Sequence, residues 1–159
     1  MLSESPTLGT LLRRLTEELD EAVGRSYEMA GLDYRPRYTP MVRALMRHGP
    51  MTIRALARRS TVSHSAASQT ISQMAERGLV SLAAGADARE RIVALTPAAE
   101  AMIPALQACW TATEAAARTL DADLGQPLEG ILVRLLEALE QRPFLDRLIE
   151  QLQPPEKSL

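Results

Sequence analysis

Arginine dominates the chemically capable residues of this chain, and its placement is uneven. Between Arg35 and Leu95 stand ten arginines (35, 37, 43, 47, 54, 58, 59, 77, 89 and 91) against Glu76, Asp87 and Glu90. That stretch carries +7 and the remainder −9, within a net charge of −2. A basic middle between acidic flanks suits a polyanionic partner; scattered, solvated arginine accounts for the charge alone equally well. Other chemistries are poorly supplied. A single cysteine, Cys109, leaves no partner for a disulfide within the chain and no cysteine-rich zinc site. Two histidines, His48 and His64, are too few for a multi-histidine metal centre. There is no glycine-rich phosphate loop and no supported Ser-His-Asp arrangement, so neither an enzyme nor a metal or cofactor is expected.

The elements that must hold these residues follow from spacing. With 159 residues, 46% of them hydrophobic, the chain fits one structural domain with extensions. No apolar run approaches the roughly 18 residues of a membrane span. The N-terminus carries Glu4 and no basic-then-apolar signal, so a cytoplasmic protein is expected. Leu8, Leu11, Leu12, Leu15, Leu19, Ala22 and Val23 predict a long helix, capped by Thr7 and ended by Gly31. Pro40 suits the first turn of a short helix through Met41, Val42, Leu45 and Met46, closed by Gly49-Pro50. Thr52 caps a helix with Ile53, Leu56 and Ala57 inward. After a break at Ser60–Ser63, a second helix runs to Gly78 with Ala67, Ile71 and Met74 on one face and Ser65, Gln69, Ser72 and Glu76 opposite. Two short helices so joined form a helix-turn-helix.

Beyond Gly78 the period becomes strand-like. Leu79–Leu82 and Arg91–Leu95 predict a β-hairpin around the tip AAGADARE, and Thr96-Pro97 opens another helix. Its stripe runs from Ala98 through Met102, Leu106 and Cys109 to Leu120, and DADLGQP is read as a loop. Leu128, Ile131, Leu132, Leu135, Leu136 and Leu139 then mark a further helix. Pro143 breaks it, and Phe144 to Leu152 continue the apolar spacing. The fold class expected is mainly α with a small β-hairpin wing: a winged helix-turn-helix with long terminal helices. Residues 1–34, 35–96 and 97–159 form its N-terminal, DNA-binding and C-terminal parts. A module of about 60 residues buries little by itself. The broad leucine faces of the terminal helices are therefore expected to pack on one another and on a second copy, the alternative being a monomeric bundle.

MTIRALARRSTVSHSAASQTISQMAERGLV together with DARERIVALT resembles the MarR family of bacterial winged-helix transcription regulators. The motifs cover residues 38–97, and the order of elements matches throughout. Asp87, Arg89, Leu95 and Thr96 carry the wing signature. The resemblance implies a homodimer built from the first and last helices, a recognition helix in the DNA major groove, and wings in flanking minor grooves. Its double-stranded DNA site would be pseudo-palindromic, and its commonest role that of a ligand-responsive repressor.

The DNA-contacting residues so implied are Arg54, Ser63, His64, Ser65, Ser68, Gln69, Arg89 and Arg91. Gln69 can pair bidentately with adenine, Arg89 suits a narrow minor groove, and Ser63 caps the helix. Asp87 orders the wing tip, since a carboxylate repels phosphate. Ala88 and Gln69 stand where arginines are common in the family, which implies a weaker phosphate contribution. Relatives often sense small phenolic or aromatic acids. Here Tyr27, Tyr34 and Tyr38 with Arg37 form either a site for such an effector or ordinary packing. Cys109, on an apolar stripe beside Trp110, reads as a buried small residue rather than a redox sensor. A winged-helix module for protein interaction, without specific DNA binding, is the other functional reading.

Overall fold

In the computed structural model, residues 5–85, 87 and 90–152 are described. Helix α1 (Leu8–Met29) starts where the Thr7 hydroxyl accepts the Thr10 amide at 3.2 Å. Its leucines at 8, 11, 12, 15 and 19 are exposed, whereas Tyr27, near its end, is buried. A 3-10 turn at Pro36–Tyr38 leads into α2 (Thr39–His48), which places Pro40 in its first turn. That helix stops at Gly49, whose φ of +73° favours glycine.

Next come a short strand β1 (Met51–Thr52), α3 (Ile53–Arg59) and α4 (His64–Glu76). Thr52 and Ser63 cap the two helices, each side chain accepting the amide three residues on. The end of α4 explains the Gly-Leu pair that follows it. Gly78 adopts φ +68° and donates to Ala75 O, while the Leu79 amide reaches Met74 O at 2.8 Å. This pair of bonds is a Schellman motif, and it turns the chain directly into the sheet.

Strands β2 (Val80–Ala84) and β3 (Arg91–Leu95) form the expected hairpin, with Val80 opposite Leu95 and Ala84 opposite Arg91. Pairing with β3 carries β2 to Ala84, two residues beyond the expected Leu82, and so shortens the tip. β1 joins as a third antiparallel strand, giving the order β1-β3-β2. The Thr96 hydroxyl donates to Gly78 O at 2.6 Å and accepts the Ala99 amide, tying the sheet base to the next helix.

That helix, α5 (Pro97–Leu124), overruns the expected loop at DADLGQP. Asp121-Ala122-Asp123-Leu124 is compatible with helix, and the stop comes only at Gly125 with φ +67°. Helices α6 (Leu128–Gln141) and α7 (Phe144–Leu152) complete the described chain, and the Leu128 amide donates to Asp121 Oδ1 at 2.9 Å.

The chain divides after Thr111 into two compact units. The first holds the core: Tyr27, Tyr38, Met41, Leu56, Ile71, Met74, Val93 and Leu106 are nearly inaccessible to solvent. In the second, neither α6 nor α7 has a buried residue, and Leu132, Leu135, Leu136, Leu148 and Ile149 are exposed. Among the described residues, no helix is long and apolar enough to cross a membrane.

Candidate nucleic-acid interface

Three inward residues fix how α4 is presented. Ala67, Ile71 and Met74 are 0%, 1% and 0% exposed, which sets the rotation of the helix about its axis. Ser65, Gln69, Ser72 and Glu76 consequently face solvent, as their spacing predicts. His64 is exposed in the first turn. The Ser63 oxygen is occupied by the Ala66 amide at 3.2 Å, so this serine is engaged as a cap. Ser68 is half-buried, and its carbonyl accepts the Ser72 hydroxyl at 3.0 Å. The exposed row is therefore His64, Ser65, Gln69 and Ser72, a run of donors and acceptors on the face of a rigid helix.

Flanking positions add charge. Arg54 is exposed in the first turn of α3, and Arg91 is exposed at the start of β3. At the hairpin tip the Glu90 amide donates to the Asp87 carbonyl at 2.9 Å, and Gly85 N donates to Glu90 O at 3.0 Å. A Cβ on Gly85 would lie 3.0 Å from Glu90 Cβ, so a side chain there would require Glu90 to shift by a few tenths of an ångström. Ala88 and Arg89 lie outside the described residues.

The tyrosines belong to the core. Tyr27 and Tyr34 meet edge to face with ring centres 5.0 Å apart, and Tyr34 and Tyr38 meet likewise at 5.6 Å. The Tyr27 hydroxyl accepts from Trp110 Nε1 at 3.1 Å and contacts the Thr39 hydroxyl at 3.2 Å. Burial pushes the Tyr34 phenol well above its ordinary pKa. Arg37 is exposed, its guanidinium 5.7 Å from the Tyr38 ring centre. None of the three tyrosines lines either of the two cavities described for the lobe. Cys109 is half-buried, its thiol 3.9 Å from the Ser26 carbonyl.

One of those cavities had no counterpart among the residues singled out as a site. A cleft of about 620 Å³ between α2 and α3 is lined by Arg43, Arg47, His48 and Arg59 over Ala44 and Met46. Arg59 Nη1 approaches His48 Nε2 at 3.1 Å, and Arg43 lies 4.6 Å above the Trp110 ring. The available sequence signal was the i, i+4 pair Arg43 and Arg47 on the outer face of a short helix. The contribution of α3 depends on tertiary packing. Among the described residues, no group of three or more His, Cys, Asp or Glu could hold a metal ion.

The profile of the MarR family matches residues 31–90, the stretch that contains α2 to α4 and the first strand of the hairpin. The chain is also 31% identical to the MarR family transcriptional regulator SPO1453 of Silicibacter pomeroyi, over 83% of this chain and 94% of that one, with a TM-score of 0.58. The chain belongs to the MarR family. The winged-helix fold of the family recurs in the Mycobacterium tuberculosis regulator MosR, solved in complex with DNA. That match has 23% identity and a TM-score of 0.70, covering 87% of this chain and all of that one. It recurs again in NadR, solved with 4-hydroxyphenylacetate, at 17% identity and a TM-score of 0.56, over 87% and 96% of the two chains. A search of curated protein sequences finds no significant match. Within the MarR frame, α4 is the recognition helix and the β2–β3 hairpin is the wing.

Proposed function

We propose that this MarR-family protein is a cytoplasmic, homodimeric transcription regulator. It reads a pseudo-palindromic DNA site and is released from it by a small effector. The observation that carries the reading is the outward face of α4, where His64, Ser65 and Gln69 are exposed on a helix held by a fully buried opposite face. A helix of this kind fits the major groove and offers its N-terminal side chains to base edges. Gln69 is assigned to base readout, Ser65 and His64 to base or phosphate, and Arg54 and Arg91 to the backbone. Arg89 is assigned to a minor groove beside the wing, with Asp87 ordering the tip. Ser63 and Ser68 act through the helix itself.

The dimer is assigned to the exposed leucine rows of α1, α6 and α7, which a second copy would bury. Repression is the mode proposed, and no catalytic role is assigned. The test is selection from random duplex DNA with sequencing of the bound pool. A pseudo-palindrome with half-sites about 10 base pairs apart supports a dimeric reader. An unenriched pool, with binding that ignores salt, overturns it in favour of a protein-interaction module.

A further inference from the structure

The cleft between α2 and α3 plays no part in the DNA reading. Its charged lining is wholly cationic or titratable to cationic: Arg43 and Arg47 from α2, His48 at the end of α2, and Arg59 from α3. No carboxylate is among the lining residues. Its volume of about 620 Å³ suits a small organic molecule, and Ala44 and Met46 give it an apolar floor.

The Arg59–His48 contact fixes a protonation state. A guanidinium only donates, so the 3.1 Å approach to Nε2 requires a neutral imidazole accepting there. His48 is correspondingly held below the ordinary histidine pKa, by partial desolvation and then by the charges of Arg59 and Arg47. Two of the three guanidinium groups of the cleft, those of Arg59 and Arg47, thus add their repulsion to the desolvation that disfavours a charged ring. An anion entering the cleft would draw Arg59 onto itself and cancel that repulsion. The freed imidazole would then take a proton from solvent.

We propose that this cleft is a proton-linked binding site for a small organic dianion, in which Arg59 exchanges His48 for the ligand and His48 becomes protonated. The proposal rests on the regulator reading only in treating that ligand as the signal. A dianion is favoured over a monoanion because the cleft then holds three guanidinium groups and an imidazolium. A DNA phosphate is the other occupant of suitable charge. It is disfavoured because a concave site with an apolar floor fits an organic body better than a duplex backbone.

The sign of the pH dependence follows from the linkage. The ligand raises the His48 pKa, so binding takes up protons and tightens as pH falls through the range between the free and bound values.

The experiment is calorimetric titration of the full-length protein with phthalate, benzoate and benzamide, which share a ring but carry two, one and no negative charges. It is run near about pH 6 and about pH 8, in two buffers of different ionisation heat. Phthalate should bind tightest and benzamide weakest, with affinity falling toward the higher pH and with heats that differ between buffers. Arg59→Ala should weaken phthalate binding about tenfold or more. His48→Gln should remove the buffer dependence while the protein still binds phthalate. Both side chains are exposed, and circular dichroism checks that the variants fold.

Equal binding of benzamide, no binding of any probe at millimolar concentration, or wild-type heats that ignore the buffer would overturn the proposal. So would an Arg59→Ala protein that binds phthalate normally but loses salt-dependent affinity for DNA, because the cleft would then be a backbone contact. Fluorescence anisotropy with duplex DNA keeps the two ideas apart. Wild-type protein that binds phthalate but no DNA sinks the regulator reading and leaves the site. Protein that binds DNA but no phthalate does the reverse.

Discussion

Helices α4 and α6 are both amphipathic, yet only α4 hides its apolar face within its own chain. Ala67, Ile71 and Met74 are sealed in the core, whereas Leu132, Leu135 and Leu136 of α6 remain 38%, 42% and 60% exposed. The same pattern therefore serves two ends. In α4 burial fixes the rotation of the helix and so decides which polar residues are presented outward. In α6 the apolar row is itself the outward surface, and its natural occupant is another apolar surface. A periodicity alone does not say which of these a helix will do.

Four perturbations would break or sharpen this contrast. Ile71→Ala, inside the sealed face, should cost about 2–5 kcal/mol of folding stability, read by chemical denaturation. A loss below about 1 kcal/mol would mean α4 is not held by that face. Leu136→Glu should leave folding of the DNA-binding lobe intact but weaken the dimer by about 2 kcal/mol or more, since a carboxylate would be buried without a partner. Sedimentation velocity over a concentration series checks it, and an unchanged dimer would free α6 from the interface. Gln69→Ala, on the outward face of α4, should reduce discrimination at one base pair by about 1–2 kcal/mol while hardly moving affinity for random DNA. An unaltered selected site would remove this residue from base readout. The smallest effect expected is from Thr52→Ala, about 1 kcal/mol of stability through the lost cap of α3, seen as a lower midpoint at an unchanged denaturant slope.

Local chemistry was the legible part of this fold. Thr7, Thr52 and Ser63 each cap the helix their position predicts, and Gly49 and Gly78 end helices where the chain must turn with positive φ. The outward row of α4 followed from a period of 3.6 anchored by three apolar residues. What depended on partners distant in sequence was not legible. The two residues of β1 show no alternation to read, and their partner strand lies far along the chain. The loop expected at DADLGQP places the end of α5 too early, because its first four residues are compatible with helix and the stop comes at Gly125. A cluster of tyrosines beside arginines reads alike whether it lines a pocket or fills a core, and here it fills the core. The basic cleft needed α3 to bring Arg59 to His48, which no spacing within α2 encodes.

The pairing of β1 with β3 also bears on how the lobe assembles. Met51 meets Val93 and Thr52 meets Ile92, so this edge closes a loop of about forty residues that contains both helices of the DNA-binding motif. Helices α3 and α4 are local structures able to form early. Pairing across a loop of this length is expected to follow the packing of these helices and the making of the hairpin. Thr52 belongs to both events, because its side chain starts α3 while its backbone joins the sheet. The wing and the helix pair should therefore open as a single cooperative unit. Amide exchange at β3 and at the core of α4 would then share one opening free energy, and the wing would keep its aim on DNA for as long as the helices hold.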